Sequence, residues 1–212
     1  MKKTNMLILS IFIFYSSIIS TNLESKINNY IVAKVGNLLI TSVDIENEII
    51  TNLIINKQEI SQENINNNKD YAVKNLINKL IKRNEINKYQ IKNYNEADLE
   101  KYIKGVAKNI NTNSNGLKNI FKESNVNYKI FVERHKTELL WNTLIFQLYN
   151  NQTNINIVDV NNEIEKRKKD ISDEEFKKVK ENILNKKKRE KFNLFSRSHF
   201  LNLENTININ FQ

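Results

Sequence analysis

Residues 31–54, IVAKVGNLLITSVDIENEIITNLI, hold a hairpin, a helix start and an apolar helix face in one short stretch. Ile31 to Val35 is apolar and largely β-branched, Gly36-Asn37 is a two-residue turn able to take positive φ, and Leu38 to Ile40 is a short return strand. Thr41 or Ser42 can then cap a helix, with Asp44 at the acidic position that complements a Thr41 cap and the positive end of the helix dipole. The helix presents Val43, Ile45, Glu48, Ile49, Asn52 and Leu53, an amphipathic pattern that Glu48 and Asn52 interrupt. A two-stranded hairpin is marginal in water, so this one requires a third strand or a helical cover.

Working outward, residues 56–69, NKQEISQENINNNK, are polar and Asn-rich and read as a loop. Val73, Leu76, Ile77, Leu80 and Ile81 follow at i, i+3, i+4, i+7 and i+8, the clearest apolar stripe in the chain. Asn95 begins a helix through Leu99, Tyr102, Ile103, Val106 and Ile110, and Leu117, Ile120 and Phe121 mark another that ends near Ser124-Asn125. Asn127 caps a long helix with a broad apolar surface: Ile130, Phe131, Leu140, Trp141, Leu144, Ile145, Leu148 and Tyr149. That helix is the natural centre of the core. Asp159 caps a sixth helix running through Ile164 toward Lys169, and Ser172 or Asp173 starts a last one through Phe176, Val179, Ile183 and Leu184 that can reach Leu203. Residues 206–211, TININF, alternate polar and apolar, the signature of a half-buried strand. They are the third strand the hairpin lacks, with Ile207 and Ile209 pairing against it. The expected class is mainly α with a small antiparallel β element, an N-terminal hairpin joined by the C-terminal strand.

Composition supports that class. With no proline and three glycines in 212 residues, little interrupts a helix, and the length suits one domain with its own core. The lack of cysteine excludes disulfides and thiol catalysis. Lys2-Lys3 followed by the apolar run MLILSIFIFYSSII and then Ser20-Thr21 has the pattern of a secretory signal peptide over residues 1–20. Its cleavage box lacks the A-x-A form, which leaves an uncleaved anchor as the alternative, although the run is shorter than the ~20 residues that span a bilayer. Residues 21–212 then form one domain, an N-terminal part over 30–170 and a terminal helix and strand over 172–212.

IVAKVGNLLITSVDIENEI, the helices between Lys69 and Lys169, and KKKREKFNLFSRSHFLNLENTININF together resemble the SurA-type periplasmic chaperones of the trigger factor–SurA peptide-binding superfamily, over nearly the whole mature chain. The resemblance lies in order and spacing. It implies a multi-helix chaperone core whose terminal strand returns to the N-terminal region. Family members commonly carry parvulin prolyl-isomerase domains before the terminal helix, whereas here Lys169 leads almost directly into Ser172. The resemblance therefore implies unfolded-protein binding in the periplasm and outer-membrane protein assembly, without isomerase activity.

The residues themselves carry little catalytic signal. His135 and His199 stand at no metal-ligand spacing, and no phosphate loop, nucleophile elbow or H-E-x-x-H occurs. Glu174-Glu175 sit in a helix's first turn, where the dipole accounts for them. No cofactor, metal or catalytic residue is expected. Phe131, Trp141, Phe146 and Tyr149 are candidates to face a client, with core packing as the competing role. Between Lys166 and Arg197 thirteen basic residues stand against six acidic ones, with Lys186, Lys187, Lys188 and Arg189 the densest run. That run is either a solvated helix face or a surface for anionic lipid or acidic client segments, and the export signal argues against nucleic acid. The expected function is an ATP-independent periplasmic holdase for unfolded outer-membrane β-barrel precursors. The alternatives are an envelope scaffold anchored at its N-terminus with its basic helix on anionic lipid, and an isomerase relative that has lost its catalytic domain.

Overall fold

The structure is a computed structural model that describes residues 29–152, 154–155, 157–165 and 172–212. The expected signal peptide and the stretch from Lys166 through Lys169 lie outside the described residues. β1 (Ile31–Val35) and β2 (Leu38–Thr41) form the expected hairpin, and Gly36 takes φ +58° at its turn. A side chain there would meet the Asn84 amide at about 3.0 Å, and that amide donates to the Val35 carbonyl at 3.1 Å. Thr41, not Ser42, caps α1 (Ser42–Ile55). The Asp44 carboxylate accepts from the Thr41 N–H at 2.9 Å and the Asp44 N–H donates to Thr41 Oγ1 at 3.2 Å, a closed capping box.

Seven more α-helices and a strand follow among the described residues: α2 (Gln62–Asn67), α3 (Lys69–Lys88), α4 (Glu96–Asn109), α5 (Ser114–Glu123), α6 (Tyr128–Tyr149), α7 (Ile157–Glu165), then α8 (Asp173–Thr206) and β3 (Ile209–Phe211). Asn95, Asn113, Asn127 and Ser172 cap α4, α5, α6 and α8 through their side chains. With so few glycines available, Lys57, Gln90, Asn111 and Asn125 take the left-handed conformation just past the ends of α1, α3, α4 and α5. Three boundaries differ from the sequence expectation. α2 occupies part of the expected loop, because Ser61 caps it and its single isoleucine, Ile65, packs on Ile49, Leu53 and Ala72. α7 begins at Ile157, so Asp159 lies inside it instead of capping it.

The third difference concerns the closure. β3 does join β1, giving a sheet of order β2-β1-β3 with Val35 opposite Ile209, Lys34 opposite Asn210 and Ala33 opposite Phe211. Ile207 takes no part in the pairing. α8 runs on through Thr206, whose hydroxyl donates to the Asn202 carbonyl at 3.0 Å, and Ile207 is the cap that turns the chain out of the helix. Its side chain packs instead into the core beneath the sheet, with Ala33, Val35, Ile40, Leu76, Leu80 and Ile81. α6 sits between two further clusters: Phe131 packs with Ile54, Ala107, Leu117, Phe121 and Val126, while Trp141, Leu144 and Ile145 pack with Ile86, Phe192, Phe200 and Leu203. α7 and the first half of α8 bury Val160, Ile164 and Ile183 against each other as a separate small cluster.

Candidate functional site

A charged seam runs between α1, α3, α4 and α6. It begins with Glu48 and Asn52, one turn apart on α1 and each only 2% exposed. A carboxylate so deeply placed needs partners, and Arg134 of α6 supplies them: Nη1 lies 3.2 Å from Glu48 Oε1 and donates to Asn52 Oδ1 at 2.6 Å. Asn75 of α3 donates to the same Glu48 oxygen at 3.4 Å. One helical turn further along α6, Glu138 receives both bonds of Lys82 at 2.6 and 2.7 Å. Lys79 stands between these pairs on α3, and burial, opposed by the Glu48 and Asp44 carboxylates, holds its ammonium below its ordinary pKa.

Two rings close the seam on the α4 side. Tyr102 and His135 stack with centroids 3.6 Å apart and planes 7° from parallel. Burial pushes the Tyr102 phenol up and the His135 imidazole down, the latter against the pull of Glu138 and Asp98. Neutral rings in flat contact fit that shift. The seam opens to solvent as three cavities. One, of about 410 Å³, lies between Lys79, Arg83 and Lys129. A second, of about 310 Å³, is lined by Glu48, Tyr71, Lys79, Tyr102, Arg134 and His135, and a third, of about 330 Å³, reaches Trp141, Arg197 and Phe200.

A second polar tie holds α8 to the body. His199 lies between the Tyr149 hydroxyl, 2.8 Å from Nδ1, and the buried carboxylate of Glu85, 3.2 Å from Nε2. Trp141 Nε1 donates to Ser196 Oγ at 2.8 Å beside it. Both histidines thus stand in aromatic or hydrogen-bonded packing, and among the described residues no group of His, Cys, Asp and Glu is arranged to hold a metal ion. The Tyr149 hydroxyl, His199 and Glu85 form one hydrogen-bonded chain that ties α6, α8 and α3 together, and the charged seam can bind polar or anionic groups.

Of the candidates to face a client, Phe131 and Trp141 are 1% and 2% exposed and belong to the core. Phe131 lies among Phe121, Tyr128 and Tyr102, and Trp141 against Phe200 and His199. Tyr149 is half-buried with its ring stacked 5.0 Å from Phe195, and Phe146 alone of the four is open to solvent, at 56% exposure. The crevices among the helices are lined mainly by charged, amide and hydroxyl side chains, with Trp141 and Phe200 in the third. In the basic run, Lys188 and Arg189 are exposed, Lys186 reaches Glu190 at 3.8 Å, and Lys187 binds Glu163 of α7 at 3.1 Å. No helix among the described residues is long and apolar enough to cross a membrane.

Glu48, Asn52, Arg134 and Glu85 are functional candidates that pattern reading overlooked. A signal existed for the first two, as the polar residues that interrupt the apolar face of α1. No protein-family model matches this chain, and neither does any curated protein.

Proposed function

We propose that the chain is a non-enzymatic, ATP-independent chaperone of the periplasm, a holdase for unfolded polypeptides of the outer-membrane β-barrel kind. The observation that carries this reading is the closure of the chain: the long α8 leads into β3, which pairs with the hairpin at the other end of the sequence. That is the arrangement implied by the resemblance to SurA-type chaperones. The chemistry is binding alone. Exposed apolar side chains cover the aromatic and β-branched segments of a client that would otherwise pair edge to edge, and weak contacts release them. On this molecule those side chains are Phe146 on α6, Leu194 and Leu201 on α8, and Leu39 and Phe211 on the sheet. The test is light scattering from a β-barrel precursor diluted out of denaturant. The protein in modest molar excess slows aggregation without nucleotide; an unchanged aggregation rate contradicts the reading.

The exposed Lys188 and Arg189 favour a second reading, an envelope scaffold whose basic helix lies on anionic lipid. Co-sedimentation with vesicles containing phosphatidylglycerol, lost in a Lys188→Glu, Arg189→Glu variant, is its expected result. Equal pelleting with neutral vesicles contradicts it.

A further inference from the structure

The cavity of about 410 Å³ is lined by Lys79 and Arg83 of α3, Lys129 and Glu133 of α6 and Asp44 of α1. Among the described residues none of the three cations forms an ion pair or a side-chain hydrogen bond. The two carboxylates are already engaged. Asp44 accepts from the Thr41 N–H and hydroxyl at 2.9 and 2.8 Å, and Glu133 pairs with Lys136 at 3.5 Å. Glu48, the other acid near Lys79, is held by Arg134 and Asn75. Lys79 is therefore a partly buried ammonium without a carboxylate in contact, an arrangement that an incoming anion relieves. The half-buried Lys79 lies deepest, while Arg83 and Lys129 are exposed at the rim, where a guanidinium fork and a flexible ammonium can close over a ligand. The volume lies within the roughly 300–1,000 Å³ of small-molecule sites.

We infer that this cavity binds a compact dianion, a phosphate monoester or a dicarboxylate, on Lys79, Arg83 and Lys129. The site is tested by thermal unfolding of the full chain at constant ionic strength, with inorganic phosphate or succinate replacing chloride. A saturable rise in Tm with one of the two dianions is expected, and the more effective one identifies the ligand class. Lys79→Gln and Arg83→Gln should each raise the apparent dissociation constant by about tenfold or more, the loss of one charge-assisted contact. Arg83 is exposed, so its replacement leaves the fold intact whatever Lys79→Gln does to stability. Lys188→Gln, on a basic surface elsewhere, should leave the constant unchanged. Absence of a saturable shift with either dianion, or an equal loss in Lys188→Gln, overturns the inference.

Discussion

The two halves of α8 share one helix and differ in almost everything that holds them. The first half buries Ile183 against Val160 and Ile164 of α7, and it carries a bond from Lys187 to Glu163 and exposed pairs within α8 itself. The second half sets Phe192, Phe200 and Leu203 against α3 and α6 and delivers Ile207 and Ile209 to the core under the sheet. It also carries the Ser196 and His199 bonds to Trp141, Tyr149 and Glu85, groups 50 to 114 residues away in sequence. Continuity of a helix thus does not mean uniform stability. Local openings should concentrate in the α7–α8 hairpin, while the second half unfolds only with the whole body.

The largest effect expected is from deleting residues 205–212. β1 would lose its third strand, and Ala33 and Val35, now fully buried, would face water. Circular dichroism should show no cooperative thermal transition in the truncated protein; a wild-type Tm would mean that the closure is ornamental. Next comes Arg134→Met, which removes the cation from the buried Glu48 and should cost about 3 kcal/mol in a denaturant titration. A loss under 1 kcal/mol would assign the seam little structural weight. Ile183→Ala should cost about 2 kcal/mol, but locally. Hydrogen exchange should quicken in α7 and the first half of α8 with the main transition nearly unmoved, and a matching fall in global stability would erase the distinction between the halves.

The smallest effect is set by pH. Burial lowers the His135 pKa from its ordinary 6.5, so the unfolded chain takes up the proton first. The fold therefore bears no penalty above about 6.5, loses stability as pH falls from there to the lowered value, and levels off below it. His135→Phe, which keeps the ring against Tyr102, should flatten the fall in Tm between pH 7 and 5 relative to wild type. A parallel pair of curves would remove His135 from the account.

Much of this architecture could be read from the chain because its signals are local. Asn95, Asn127 and Ser172 cap their helices, Thr41 and Asp44 close their box, and the alternation at the C-terminus marks a strand. Where a local signal met a tertiary one, the reading slipped. Ile207 alternates like a strand residue, yet the helix before it persists one turn longer than the pattern required. α2 has one apolar residue and gains its structure from what Ile65 touches. The same limit governs the site. An aromatic at helical spacing does not reveal whether it faces the core, as Trp141 does, or water, as Phe146 does, since that depends on where α8 comes to lie. The pairing of Glu48 with Arg134 joins helices far apart in the sequence and leaves no trace in spacing beyond a polar residue on an apolar face.

Direct binding of an unfolded client tests the central claim with least intervening inference. An aromatic-rich β-barrel segment, held monomeric in dilute urea, is titrated without nucleotide into the protein and into a Phe146→Ser, Leu194→Ser variant at low and high salt. A surface that accepts many sequences should bind with a dissociation constant on the order of micromolar. Binding should weaken severalfold in the variant, and should weaken only modestly with salt, because exposed charges are screened over roughly 8–10 Å at physiological ionic strength. No binding at either salt, or binding indifferent to both apolar side chains and abolished by salt, would contradict the holdase account.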